Sequence, residues 1–154
     1  MKCLLVLVSC HHENTKKVAE VLADELDAEI KSPGDLSPGD ALSYDLIGLG
    51  SGIYAAKLHP KIVQFADQLP QASGRRVFLF STAAIVTEKK ALKDHGAVQR
   101  AVEAKGYDVV GHFSCRGFNT NSFLKYVGGM NRGRPNAHDL KRARAFAREL
   151  SGSA

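Results

Sequence analysis

The stretch that most constrains this chain runs from Cys3 to Leu26, where an apolar run, a short polar turn and an amphipathic segment follow one another. Cys3-Leu4-Leu5-Val6-Leu7-Val8 is apolar at every position, the pattern of a strand covered on both faces, as in a parallel sheet. Behind it, Val18, Ala19, Val21, Leu22 and Leu26 recur at helical spacing with Lys, Glu and Asp between them. The turn from Val8 to Thr15 reads Val-Ser-Cys-His-His-Glu-Asn-Thr. It sets hydroxyl, amide and imidazole groups beside the free N–H groups at the positive end of a helix dipole, which predicts a place for an anion, most often a phosphate.

The same alternation continues along the chain. Ala28 to Lys31 reads as a short second strand, and Ser32 to Ser43, rich in Pro, Gly, Asp and Ser, as a connection over the surface. Tyr44 to Gly50 predicts a buried strand ending in the turn Ser51-Gly52-Ile53-Tyr54-Ala55-Ala56-Lys57, followed by a helix from Pro60 to Leu69 with Ile62, Val63, Ala66 and Leu69 inward. Arg76 to Phe80 is a further strand, leaving through Ser81-Thr82-Ala83-Ala84 into one long helix through Ala104, with Leu92, His95, Val98 and Val102 inward and Gly106 as its C-cap. Tyr107 to Phe113 is the last central strand. A final helix starts near Asn136, with Asp139 as a capping-box partner, and buries Leu140, Ala143, Ala147 and Leu150.

Four clear strands and a fifth short one, alternating with helices, predict an α/β fold: a doubly wound parallel sheet with helices on both faces. No linker is long enough to separate domains, so residues 1–154 are expected to form one domain. Ligands of such folds bind beyond the carboxyl ends of the strands. The strong strands lead into Ser9, Ser51, Ser81 and Ser114, and the convergence of these four exits on one rim predicts a pocket.

Composition narrows the setting. The stretch after Met1-Lys2 is too short for a signal peptide, and no apolar run approaches the roughly 20 residues of a membrane span. Three cysteines, Cys3, Cys10 and Cys115, are too few and too scattered for a disulfide framework or a metal cluster, so reduced thiols in a cytoplasm are expected. The net charge of +5 owes much to late residues such as Arg132, Arg134, Lys141 and Arg144, partly on the outer face of the last helix. That helix offers only Phe146 among its charges, so no nucleic-acid partner is expected.

Several phosphate-binding devices fail at the turn. It lacks the glycines and the Gly-Lys-Ser/Thr ending of a nucleotide P-loop, and the G-x-G-x-x-G of a dinucleotide fold. A receiver domain needs an acidic pair and a phosphorylatable Asp where this chain has Ser9, Cys10 and Ser51. A cysteine phosphatase loop starting at Cys10 would need an arginine fork at Lys16, and lysine cannot supply one.

The phosphatase loop stays open as an alternative; the leading reading, a flavin mononucleotide site, comes from a resemblance. Ser9-Cys10-His11-His12-Glu13-Asn14-Thr15 resembles the phosphate loop of flavodoxins, with Glu13 at that loop's glycine position. Gly50-Ser51-Gly52-Ile53-Tyr54 resembles the second flavin loop and Phe80-Ser81-Thr82 the start of the third. Phe113 to Phe118 is similar to a segment of flavodoxin-like proteins. The resemblance implies a five-stranded sheet of order 2-1-3-4-5 with FMN as cofactor. It implies Ser9, Cys10, His11, His12, Asn14 and Thr15 around the phosphate, and Ser51, Gly52, Ile53, Tyr54, Ser81, Thr82, Ala83 and Ala84 around the ring. Tyr54 would stack on the flavin. No second aromatic follows Thr82, leaving Ile85, Phe118 or solvent on the other face.

The function implied is electron carriage between redox partners. Flavodoxins are usually acidic and this chain is basic, so an acidic partner or an anionic substrate is expected. Two further alternatives stay open: an FMN-dependent oxidoreductase acting on a small substrate, as a reductase or a protoporphyrinogen-oxidase-like enzyme, and a flavin-free interaction module with an empty anion site.

Overall fold

Strand β1 (Cys3–Val8) lies between two parallel neighbours, with Leu4 and Val6 packed into one helical layer and Cys3, Leu5 and Leu7 into the other. Burial on both faces is why the run carries no polar residue. The computed structural model describes residues 1–10, 12–118, 129 and 131–152. After β1 come α1 (Asn14–Leu26), β2 (Glu29–Lys31), two short 3₁₀ turns (Pro33–Asp35 and Pro38–Ser43), β3 (Leu46–Tyr54) and β4 (Lys57–Leu58). Then follow α2 (Pro60–Gln68), β5 (Arg76–Ala83), α3 (Glu88–Asp94), α4 (Gly96–Ala104), β6 (Asp108–Arg116) and α5 (Ala137–Gly152).

Five strands pair in parallel in the order β2-β1-β3-β5-β6, the doubly wound arrangement expected. The sheet gains one strand that the sequence pattern does not predict. β4 folds back antiparallel on the end of β3, pairing Ile53 with Leu58 and Tyr54 with Lys57. Helices α1 and α5 cover one face through Val18, Ala19, Leu22, Ala143, Ala147 and Leu150, while α2 and α4 cover the other through Ile62, Phe65, Ala66, Val98 and Val102. Beneath α1 and α5, Phe78 and Phe80 of β5 lie over Gly48 and Gly50 of β3, their register partners. A Cβ at either glycine would meet a ring carbon at 2.4 Å, so only hydrogen fits there.

The expected single helix through Ala104 is two helices, α3 and α4, meeting at His95. His95 is fully buried because its ring is pulled onto the sheet: Nε2 is 2.8 Å from Ser81 Oγ, and Nδ1 is 2.9 Å from Nδ1 of His112. With the helix broken there, Leu92 turns outward and is 46% exposed rather than inward as its spacing predicts. The start of α5 matches the expected cap, Asn136 and Asp139 exchanging backbone-to-side-chain hydrogen bonds of 2.9 Å each. Leu140 is only partly buried. Among the described residues no helix is long and apolar enough to cross a membrane.

Gly50→Ala should lower stability by about 1–3 kcal/mol through overpacking against Phe80, read as a lower denaturant midpoint at unchanged slope. Burial first, then His112 and Lys90, lower the His95 imidazole from 6.5 to about 3. The unfolded chain therefore takes up this proton at a higher pH than the folded one, so the stability it contributes is complete above pH 6.5 and declines as pH falls toward 3. Unfolding curves across that window should show the decline, and His95→Asn should flatten it.

Candidate functional site

The in-register row Val8–Ser51–Ser81–Ser114 runs straight across the four central strands. Three of these serines lie inside strands rather than at their exits, because β3, β5 and β6 continue two or three residues beyond them. Their hydroxyls are buried and serve the scaffold. Ser51 Oγ accepts from the His59 amide at 2.8 Å and donates to the Gly52 carbonyl at 2.6 Å, while Ser81 Oγ contacts His95 and donates to Ser114 Oγ at 3.1 Å.

One step further along, the strand ends open a cleft. Cys10 and Asn14 line it from the β1–α1 turn, Gly52, Ile53 and Tyr54 from β3, Thr82, Ala83 and Ala84 from β5, and Gly117 and Phe118 from the end of β6. The structure thus brings together eight of the residues singled out from the sequence. Ser9, His12, Thr15, Ser51 and Ser81 stand beside or beneath this lining, and His11 and most of the Asn119–Pro135 stretch lie outside the described residues.

The β1–α1 turn is held by its own polar groups. Ser9 Oγ accepts from the Lys16 amide at 3.1 Å, and no side chain of the N-cap residue Glu13 closes the helix start. His12 and Glu13 both adopt positive φ, 57° and 52°, in the left-handed region that favours glycine. A glycine would take this backbone without strain, and Glu13 occupies it here. The Glu13 carboxylate turns to solvent, 3.8 Å from Lys16 Nζ.

Asn14 and Thr15 fasten the turn to the sheet. Thr15 Oγ1 is 2.9 Å from Thr82 Oγ1, both residues being buried. One hydroxyl proton closes that contact and the other remains for a further acceptor. Asn14 Nδ2 donates to the Phe118 carbonyl at 2.8 Å, leaving Oδ1 as the one buried side-chain acceptor without a hydrogen-bond partner among the described residues. Gly117 is small because of Asn14, whose Nδ2 would lie 2.6 Å from a Cβ there.

Tyr54 is half-buried, with its ring edge-on to His59 at 5.1 Å. Burial first, then a hydrogen bond to Cys10, push its phenol up to about 12. The two residues after it, Ala55 and Ala56, have φ of 50° and 61°, so the hairpin into β4 is a second strained turn at the cleft. Across the cleft mouth Phe118 packs on the His12 ring at 4.3 Å. Asn131 is a residue the sequence pattern does not single out. Its Nδ2 donates to the Ala84 carbonyl at 2.7 Å and reaches the Gly117 carbonyl at 3.4 Å, joining two walls of the cleft. Nothing local marks it, since its role depends on two loops distant in sequence.

These features define a class: a doubly wound α/β protein with a ligand cleft at the carboxyl edge of its sheet, bounded by a polar turn at a helix start. The flavodoxin domain model matches residues 5–116, and the chain belongs to the flavodoxin family. It is 39% identical over 150 residues to an uncharacterized protein of Methanocaldococcus jannaschii, covering 97% of this chain and 98% of that one. Its fold is similar to oxidised flavodoxin 2 of Bacillus cereus, with a TM-score of 0.76 at 16% identity over 100% of both chains. It is also similar to a Fusobacterium nucleatum flavodoxin bound to flavin mononucleotide, with a TM-score of 0.67 at 14% identity over 99% of both chains.

Glu13→Gly should raise stability by about 1 kcal/mol, because it removes left-handed strain at the cost of an exposed ion pair that contributes little. A rise in the thermal midpoint measures it.

Proposed function

We propose that the cleft binds FMN and that the chain carries electrons between redox proteins as a single-domain unit. The observation that carries this reading is the meeting of three strand ends and the β1–α1 turn on one cleft, in which Asn14 supplies a buried acceptor with no partner among the described residues. An orphaned acceptor suits a ligand that brings a donor, such as a ribityl hydroxyl. Gly52, Ala83, Ala84 and Gly117 let the backbone approach a flat ring closely.

Ser9, Cys10, His11, His12, Asn14 and Thr15 would surround the phosphate at the start of α1, where the dipole favours negative charge. Gly52, Ile53, Tyr54, Thr82, Ala83 and Ala84 would hold the ring. Ser51 and Ser81 would act beneath it by fixing His59 and His95. Bound there, the flavin supplies the electron chemistry, and the protein places and tunes it. Tyr54 offers a ring face for stacking and is kept neutral. In the β1–α1 turn, Glu13 directs its charge to Lys16 and would keep it away from the phosphate.

The partner we infer carries an acidic surface. Lys16, Lys17, Lys57, Lys89, Lys93 and Arg116 are all exposed on segments at or just beyond the carboxyl ends of the strands, where the cleft opens. Such a rim speeds encounter with a negative surface and loses that advantage as salt rises. The setting we propose is a reducing cytoplasm, in keeping with three free thiols. One observation favours a second reading, turnover of a small anionic substrate: Ile85, which follows the third wall of the cleft, is 57% exposed, and no aromatic stands beside it in Thr82 to Val86.

Binding is tested by quenching of FMN fluorescence on titration with the protein. Quenching to a stoichiometric end-point is expected, and Tyr54→Ala should weaken affinity about tenfold, corresponding to the loss of roughly 1.4 kcal/mol of ring contact. Reduction of the complex in two well-separated one-electron steps supports carriage. A single two-electron step favours the substrate reading, and no quenching at excess FMN overturns both.

A further inference from the structure

The fold treats its three cysteines differently. Cys3 opens β1 and is 2% exposed, and Cys115 lies within β6 and is 1% exposed. Burial foremost pushes each thiol up to about 12. The nucleophile in thiol chemistry is the thiolate, so two thiols both walled off and held at about 12 are inert near neutrality. Cys10 is exposed, on the turn between β1 and α1, and it lines the cleft.

An exposed thiol alone says nothing about ligands, but two further observations put this one in a ligand's path. Asn14, four residues on and 8% exposed, lines the same cleft and holds the buried Oδ1 that no donor meets among the described residues. Tyr54, the aromatic of the same cleft, hydrogen-bonds the Cys10 side chain in a way that pushes the phenol's pKa up. Cys10 and Tyr54 line the same cleft, so anything attached to the Cys10 sulfur enters the space beside the ring that would meet the cofactor.

The geometry points to Cys10 as a modification site at the cleft mouth, where exchange with a small disulfide excludes the cofactor and is excluded by it. This rests on the flavin reading and adds regulation to the same site. In the exchange, Cys10 loses its proton to solvent and its thiolate attacks one sulfur of a disulfide R–S–S–R. The R–S–S–R bond breaks, a Cys10–S–S–R bond forms, and the second half leaves as R–S⁻ and takes up a proton. Cys10 is oxidised and the released thiol is the reduced product. Excess thiol runs the exchange backwards and reopens the cleft.

The test uses the purified chain and a dipyridyl disulfide, whose released thiopyridone is followed by its absorbance. FMN binding is first measured on the same preparation by fluorescence quenching. Without FMN, one thiol should react rapidly, peptide mass spectrometry should place the label on Cys10, and Cys10→Ser should lack the rapid phase. With free FMN about tenfold above its Kd, the rapid phase should slow about tenfold, since only roughly a tenth of the clefts remain open. Protein first converted to the glutathione mixed disulfide should lose FMN quenching and regain it on adding excess dithiothreitol. Rapid label on Cys3 or Cys115, or FMN that binds without slowing the label on Cys10, overturns this inference and leaves the flavin reading standing. Absence of FMN quenching overturns both.

Discussion

Everything at the cleft depends on one constraint, the common register of the four central strands. Val8, Ser51, Ser81 and Ser114 stand side by side, so the next two or three residues of β3, β5 and β6 emerge at one level. Parallel pairing makes this level a rim, because every chain direction points the same way and every crossover returns beneath it. Backbone pairing keeps these strand ends at the usual spacing of about 4.8 Å, and the small hydroxyls of the row are buried. Each is tied to a neighbouring element, Ser51 to the amide of His59 and Ser81 to His95 and Ser114.

Above the rim, the loops are joined by side chains rather than by regular pairing. Thr15 meets Thr82, Asn14 meets the Phe118 carbonyl, and Asn131 meets the Ala84 carbonyl. These links connect the ends of β1, β5 and β6 across long sequence separations. Beside them the chain adopts conformations it would not choose locally: His12 and Glu13 in the β1–α1 turn, and Ala55 and Ala56 in the hairpin closed by β3 and β4, all non-glycine residues at positive φ. Strain of this kind persists only where surrounding contacts over-determine the backbone, and here both strained turns border the cleft.

The charge of the chain acquires meaning from the same arrangement. Bases scattered along the sequence, from Lys16 to Arg116, reach the end of the molecule where the cleft opens. Elsewhere several of the basic residues are answered by carboxylates within the fold. Arg144 and Arg148 of α5 bind Asp24 and Glu25 of α1, and Arg134 binds the buried Asp139 with a hydrogen bond of 2.6 Å from Nη2. The late basic helix is thus partly a staple between α1 and α5.

The alternation of strands and helices, the face each strand buries and the polar turn at the start of α1 are all legible in the sequence, because they rest on local periodicity and on residues next to one another. Tyr54, Thr82 and Cys10 could be named for the cleft for the same reason: each follows a run whose period marks a strand. Contacts between distant segments have no such signature. The break at His95, forced by Ser81 and His112, turns Leu92 to solvent against its spacing. Three of the four serines expected at the strand ends, Ser51, Ser81 and Ser114, are inside the strands, since backbone pairing with neighbours, not side-chain type, decides where a strand stops. The sequence by itself determined which fold this chain makes and where along it a ligand turn must lie, through hydrophobic period and turn chemistry. Only the tertiary structure decided which atoms face the cleft, because side chains such as Asn14, Asn131 and Ser81 take their partners from segments tens of residues away.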